Sequence, residues 1–366
     1  MRLRALDGLR GLAALVVLIH HAFLLVPSLA APYFSEPVGG GRASLLVYTP
    51  LHLVWAGTEA VYLFFVLSGL VLGFAAQSAS FGWNSYFPSR LARLYLPVFG
   101  AVVLGALVIW LTPEARPGES AWVERRPGDY DLGGMLMDAV LVTGSSNRIT
   151  PLWSLQWEIL FSLLLPVFIY AARRVDARIQ LLAYFALTTL GAYVGLTTLK
   201  FLPMFGIGVA LAAMWNKLSG RLDRMGRRTS FAFWTAGLLV AVVLLTAGWT
   251  TQSFLPIELS FLTIPVILIG VCIVILAATH APVFSSLLLS RPFGFLGLIS
   301  FSLYLVHEPI VVAVDSMVAS PFQAILVAIP VSIAVAIGFW FVVERPSHRL
   351  ARRIKVRAEA ELRLAA

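Results

Sequence analysis

The chain has 366 residues, of which 59% are hydrophobic and only 12% are charged, and its formal net charge is +9. Soluble domains carry roughly twice that share of charged residues. A soluble core could not bury this much apolar surface, so the composition excludes a soluble enzyme and predicts an all-α polytopic membrane protein.

Hydrophobic runs of about 20 residues, the length of a helix that crosses a hydrocarbon core, recur along the chain. They predict about ten transmembrane helices, near residues 10–30, 54–77, 94–112, 151–172, 179–196, 198–216, 231–249, 258–279, 294–313 and 322–343. One further apolar segment, MLMDAVLV in the long loop 113–150, is too short to span and predicts an interfacial or re-entrant element.

Lysine and arginine are distributed unevenly between the alternate loops. All but six of the 27 lie in one set of loops, which includes both termini; the other set holds Arg42, Arg116, Arg125, Arg126, Arg148 and Lys200. By the positive-inside rule, the richer side is cytoplasmic. We therefore expect both termini in the cytoplasm, a bacterial-type inner membrane, and no nucleic-acid partner, because topology accounts for the positive charge.

Two regions follow from this layout. Residues 1–344 are predicted to form one membrane domain, and residues 345–366 a basic cytoplasmic tail, which is either solvated or in contact with anionic membrane lipids.

The first predicted span contains LDGLRGLAALVVLIHH, which carries ionisable groups where hydrocarbon is expected. Arg10 and His21 are eleven residues apart, so they share one helix face, separated by about 16 Å along the axis. His20 points about 80° away and is predicted to pack. His21 is the candidate functional residue. The alternatives are a hydrogen-bonded packing role for His21 and a snorkelling anchor for Arg10.

The second span and the loop after it offer two further features. Ser68 and Gly69 form a small pair that favours close helix approach. Arg90 and Arg93 are one turn apart in SRLARLYLP. They either mark the cytoplasmic side of the membrane by the positive-inside rule or form a cytoplasmic clamp for phosphate groups.

The fourth span begins with Thr150 as a candidate N-cap, followed by Pro151. Glu158 then lies about 10 Å inside the helix. A carboxylate there must be paired, protonated or in contact with water, and the alternative to a functional role is an ion pair with an arginine or histidine. Ser154 lies one turn earlier on the same face. Trp153 is adjacent and also suits an interfacial aromatic belt.

The ninth span contains SFSLYLVHEPIV. It places His307 about 18 Å from a start near Phe295, while Glu308 and Pro309 are expected to mark a helix break near the outer side. His21, Glu158 and His307 thus reach similar depths from three helices. Intramembrane ionisable residues are usually functional, although shared depth does not establish contact.

Together these segments resemble the acyltransferase 3 family of membrane acyltransferases. The matching pieces are LDGLRGLAALVVLIHH, FFVLSG, RLARLYLP, WSLQWEILFSLLLP, SFSLYLVHEP and the closing VVERP. The resemblance implies a ten-span protein that takes an acyl group, commonly acetyl, from cytoplasmic acyl-CoA to a hydroxyl of a carbohydrate or cell-envelope glycan, with no metal. Some members of that family carry a further hydrolase-like domain after the last span; because this chain ends about 20 residues after VVERP, we expect the form without it.

The resemblance assigns roles to individual residues. His21 is predicted to be the general base and Glu158 the group that orients it, while a covalent acyl-histidine route stays open. The residues predicted to bind the donor are Arg10, Arg90, Arg93 and Ser68. Those predicted to bind the acceptor are His307, Tyr304, Trp153 and Ser154. A glycan or lipid transporter and a structural scaffold are the competing hypotheses, and the oligomeric state is open.

Overall fold

A computed structural model describes residues 4–36, 38, 40–112, 119–127, 129–252 and 254–364. Over these residues the protein is all-α and contains no β-strand, as the composition predicts. Arg116, which the charge distribution included, lies outside the described residues.

Seventeen α-helices account for most of the described chain. They are α1 (Arg4–Phe23), α2 (Pro27–Ala30), α3 (Arg42–Tyr48), α4 (Gly57–Ala76), α5 (Trp83–Leu111), α6 (Ala121–Glu124), α7 (Leu132–Val140), α8 (Leu152–Arg174), α9 (Ala177–Tyr193), α10 (Thr197–Leu222), α11 (Arg227–Leu245), α12 (Ala247–Thr250), α13 (Thr263–His280), α14 (Pro282–Leu288), α15 (Arg291–Met317), α16 (Pro321–Phe339) and α17 (Arg345–Leu364). Turns of 3-10 helix lie at Ala31–Phe34, Pro50–Trp55 and Ile257–Leu262, and a π-helical turn at Trp340–Glu344 joins α16 to α17.

In the described part of the chain, nine helices are long and apolar enough to cross a membrane: α1, α4, α5, α8, α10, α11, α13, α15 and α16. The remaining predicted span, the fifth at residues 179–196, corresponds to α9, whose 17 residues are at the lower limit for crossing a hydrocarbon core. The prediction of a polytopic, all-α membrane protein is therefore confirmed.

Three helix boundaries differ from the prediction. The first span ends at Phe23, well before residue 30, because Pro27 disfavours helix at the residue before it and begins α2 instead. The third begins at Trp83, which places Arg90 and Arg93 inside a helix. The predicted break at Pro309 is wrong, since α15 continues through it to Met317. Membrane helices tolerate proline where neighbouring groups satisfy the freed backbone carbonyl.

The chain folds into two compact units. The first comprises residues 1–17, 39–77 and 164–300. Within it α4 packs closely on α10, and a side chain at Gly69 would collide with the backbone of Phe205, as one at Gly208 would with that of Val66. The glycines thus provide the close helix approach that the small residues of the second span favoured.

The second unit comprises residues 18–38, 78–163 and 301–366. Within it α5 packs against α17 and α7. The buried carboxylate of Glu344, from the VVERP segment, accepts hydrogen bonds from the backbone N–H and the hydroxyl of Ser302 on α15. This contact fastens the turn before α17 to the helix that carries His307.

Candidate active site

Two histidines from different helices meet in the second unit. His21 lies in the last turn of α1 and His307 lies on α15, and the Nε2 atom of His307 is 2.9 Å from the Nδ1 atom of His21. The side chain of His307 is fully buried, and His21 is only 8% exposed. The sequence predicted a shared depth for these residues, and the structure adds direct contact.

The hydrogen bonds around this pair determine which nitrogens carry protons. The Nδ1 atom of His307 lies 2.8 Å from the carbonyl oxygen of Leu303. A carbonyl oxygen only accepts, so Nδ1 of a neutral His307 carries the proton and its Nε2 atom accepts. His21 must then donate from Nδ1, and the lone pair of its neutral ring lies on Nε2. The unprotonated nitrogen of His21 is therefore Nε2, and the hydrogen bond from Nδ1 to His307 orients the ring.

Aromatic rings surround the histidine pair. The ring centroids of Trp122 and His21 are 5.5 Å apart, and His20 contacts His21 edge-on at 5.2 Å. The Nδ1 atom of His20 is 3.4 Å from the hydroxyl of Tyr33. Because consecutive residues of a helix point about 100° apart, the two histidines reach different neighbours.

Arg90 and Glu158 form an ion pair between α5 and α8. The Nη2 atom of Arg90 is 2.7 Å from Oε1 of Glu158, and the two side chains are 13% and 18% exposed. The Nε atom of Arg90 also donates to the hydroxyl of Ser162, one turn further along α8, at 3.1 Å. Glu158 therefore forms an ion pair with an arginine, which was the alternative to a functional role. Its orienting action on His21 stays a prediction.

The other residues predicted to bind the donor belong to both units. Arg93 lies in the second unit, one turn after Arg90 on α5, and is exposed. Arg10 on α1 and Ser68 on α4 belong to the first unit, and both are partly buried. Their part in donor binding stays a prediction.

Two of the residues predicted to bind the acceptor bind each other. The hydroxyl of Ser154 donates to the carbonyl of Pro151 at 3.0 Å, so it accepts from the hydroxyl of Tyr304 at 2.7 Å. Trp153, the neighbouring residue on α8, is partly buried. The hydrogen bond braces α8 against α15 one turn before His307.

A second buried acid follows His307 directly. Glu308 is fully buried, and its Oε1 atom accepts hydrogen bonds from Nη1 of Arg126 and from the hydroxyl of Thr150, the latter at 3.0 Å. Thr150 was expected to cap α8, which begins at Leu152. Burial and the nearby Arg148 lower the pKa of Arg126 to about 9, which leaves the guanidinium charged at neutral pH.

The sequence interpretation missed Trp122, Arg126 and the partnership of Glu308. One signal was available: Arg126 and Arg148 lie in the loops that are otherwise poor in arginine. Positive residues that the topology does not require are candidates for specific pairing. Within the described part of the chain, no group of three or more His, Cys, Asp or Glu side chains is arranged to hold a metal ion.

The chain is similar in sequence to known proteins. The acyltransferase 3 family, described as "Acyltransferase domain", matches residues 3–344. The acyltransferase MdmB of Streptomyces mycarofaciens is 29% identical over 179 residues, which cover 49% of this chain and 42% of that protein. The O-acetyltransferase PaAT-1 of Phomopsis amygdali is 24% identical over 384 residues, which cover 88% of this chain and 74% of that protein. No solved structure matches the chain.

This chain thus spans less than half the length of MdmB, the first of these relatives. The family match, by contrast, extends over nearly the whole chain and includes His21, His307, Arg90 and Glu158. On that match, the chain belongs to the acyltransferase 3 family.

Proposed function

We propose that this protein is an integral membrane O-acyltransferase that moves an acyl group, preferably acetyl, from acyl-CoA to a hydroxyl of a carbohydrate or cell-envelope glycan. The observation that carries the proposal is the hydrogen bond between His307 and His21, with Leu303 holding the proton on the far nitrogen. Family membership favours acyl transfer over transport. The name of the relative PaAT-1, an O-acetyltransferase, supports oxygen as the acceptor atom and acetyl as the group.

In this proposal His21 acts as the general base. Its Nε2 atom takes the proton of the acceptor hydroxyl while the hydroxyl oxygen attacks the thioester carbonyl carbon. The C–S bond then breaks, and the imidazolium returns the proton to the CoA sulfur, so that an ester and CoA are formed. His307 accepts the hydrogen bond from Nδ1 of His21 throughout and stabilises the charged ring that forms on the way.

We give His307 the orienting role that the family resemblance led us to predict for Glu158. A neutral imidazole can accept from His21 without adding a buried charge that would need its own partner. The carboxylate of Glu158 is engaged by Arg90. The bond between Ser154 and Tyr304 supports the same part of α15. Trp153 and these two residues are then proposed to face the acceptor from α8 and α15.

The donor is proposed to bind through its phosphates. A guanidinium presents several donors in a planar fork that suits phosphate oxygens. Arg93 is exposed, whereas the side chain of Arg90 is mostly buried, so we give Arg93 the larger part. Arg10 and Ser68 are also proposed to take part in donor binding.

The proposed location is a bacterial-type inner membrane, with both termini in the cytoplasm. The uneven distribution of lysine and arginine supports this orientation. Residues 1–344 would then form the catalytic membrane domain, and residues 345–366 a basic cytoplasmic tail. Membrane lipids are the natural neighbours of the apolar helices.

The experiment compares two adjacent histidines. Purified His21→Ala protein and its matched control His20→Ala are incubated with labelled acetyl-CoA and cell-envelope fractions, and the labelled product is identified by mass spectrometry. We expect His21→Ala to lose transfer by a factor of about 10²–10⁴, the usual contribution of a general base. His20→Ala should retain much more activity than His21→Ala, because His20 contacts His21 only through an edge-on ring contact and its Nδ1 atom lies near the hydroxyl of Tyr33.

Full transfer by a correctly folded His21→Ala protein would contradict the proposal. Labelled protein recovered from a quenched single turnover, with the label on His21, would indicate the acyl-histidine route, which uses the same nitrogen as a nucleophile.

A further inference from the structure

Residues 120–126, which we call the cap, form a short helical segment in the second unit. Two neighbouring arginines at its end form ion pairs of different kinds, and an exposed pair contributes little to holding a segment in place. Arg125 pairs with Glu36 at 2.7 Å, at an exposed position, whereas Arg126 pairs with the fully buried Glu308 on α15. α6, which the cap contains, packs against α2, the helix that follows α1. The cap is therefore fastened to the parts of the chain that follow both histidines.

Trp122 is the residue of the cap that contacts the histidine pair. Its ring is 5.5 Å from that of His21 and is only 8% exposed. The guanidinium carbon of Arg126 lies 5.3 Å from the Trp122 ring. Trp122 thus lies between His21 and an arginine that is itself tied to Glu308, the residue after His307.

This arrangement addresses a chemical problem of the proposed reaction. A base that can remove the proton of an acceptor hydroxyl can also remove a proton of water. Water would then attack the thioester and give a carboxylic acid and CoA, which wastes the donor. Closed active sites suppress such side reactions by excluding water. The indole of Trp122 supplies apolar surface directly beside the base.

We propose that the cap shields His21 from water, and that the ion pair of Arg126 with Glu308 holds Trp122 in place. The acyl group is therefore passed to the acceptor alcohol and not to water. Arg126 and Glu308 are positioning residues, since they act on His21 through Trp122. This inference rests on the proposed function, because it takes His21 as the base that activates the attacking oxygen.

The test needs no acceptor. Purified full-length protein is incubated with acetyl-CoA alone, and the free thiol of CoA is followed with a thiol reagent. We expect Trp122→Ala and Arg126→Gln to raise the rate of hydrolysis about fivefold or more over the wild type. Arg125→Gln is the matched control: it removes the same type of side chain from the adjacent position, where the pair is exposed, and should leave hydrolysis unchanged.

A double variant distinguishes hydrolysis that depends on His21 from hydrolysis caused by loss of structure. Trp122→Ala combined with His21→Ala should return hydrolysis to the background rate, because His21 activates the water. Trp122→Phe keeps an aromatic ring beside His21, and we expect hydrolysis within about twofold of the wild type. Thermal unfolding in detergent identifies variants that fail to fold.

Unchanged hydrolysis in folded Trp122→Ala and Arg126→Gln proteins would overturn the inference. So would an increase that persists in the double variant with His21→Ala, since the water would then react by another route. Neither result affects the proposed function, which fails only if acetyl transfer to envelope fractions is independent of His21.

Discussion

The Nε2 atom of His307 lies 2.9 Å from the Nδ1 atom of His21, although the two residues are 286 positions apart in the chain. With Leu303 accepting from the other nitrogen of His307, Nδ1 of His21 donates to His307, so Nε2 is the unprotonated nitrogen of a neutral His21. The arrangement resembles the base and orienting group of a hydrolase triad, with an imidazole in the place of the carboxylate.

Replacement of His307 should separate its role as an acceptor from its other contacts. His307→Ala removes the acceptor for Nδ1 of His21, and we expect kcat to fall by about 10²-fold, within the range for groups that assist acid–base catalysis. His307→Gln can place an amide oxygen near the position of Nε2, so its kcat should fall less. Steady-state kinetics with acetyl-CoA measures both. Equal losses in the two variants, with unfolding temperatures unchanged, would argue against the orienting role.

Because Arg90 and Glu158 form an ion pair, we expect the effects of replacing them on the free energy of unfolding to be non-additive. Removing either partner leaves a mostly buried charge, so Arg90→Gln and Glu158→Gln should each lower the free energy of unfolding by about 3 kcal/mol. The double variant should lose less than the sum of the two. Thermal unfolding of the three proteins in one detergent gives the coupling energy. Additive losses would indicate that the pair contributes nothing beyond its separate contacts.

Close packing of α4 on α10 predicts different outcomes for two glycines of α10. Gly208→Ala would push a methyl group into the backbone of Val66 and should cost about 1–3 kcal/mol. Gly220→Ala meets no atom within 4 Å and replaces a flexible residue inside a helix, so it should be neutral or stabilise by up to about 1 kcal/mol. Unfolding temperatures measure the contrast. If Gly220→Ala also lowers the unfolding temperature, the loss in Gly208→Ala cannot be attributed to the packing of α4 on α10.

Exposure of Arg93 on α5 predicts a role in donor affinity. Arg93→Gln should weaken the binding of acetyl-CoA about tenfold, as expected for loss of one or two charge-assisted hydrogen bonds to phosphate. Arg173→Gln, an exposed arginine on the same predicted side, is the control and should leave binding unchanged. Equilibrium binding of labelled acetyl-CoA to the purified variants measures the difference. Unaltered affinity in Arg93→Gln would refute the phosphate clamp.

Some of the site could be predicted from the sequence because it depends on one helix at a time. The 3.6-residue repeat separates the direction of His21 from that of His20, and the position of Glu158 inside an apolar run requires a partner for it. An ion pair with an arginine was among the alternatives, but nothing in the sequence selected Arg90. Its position was predicted as a loop, whereas α5 begins at Trp83, where the rings of Phe81, Trp83 and Tyr86 contact one another.

The sequence by itself determined the class of the protein, the approximate positions of its helices, and the faces on which its intramembrane ionisable residues lie. These properties follow from local hydropathy and helix geometry. Only the tertiary structure decided that His307 is the partner of His21, that Arg90 is the partner of Glu158, and that Arg126 reaches Glu308. Those pairings join residues between 68 and 286 positions apart, and they depend on which helices pack together. The 3.6-residue period of a helix determines the direction in which a side chain points, whereas the packing of the helices determines which residues it contacts.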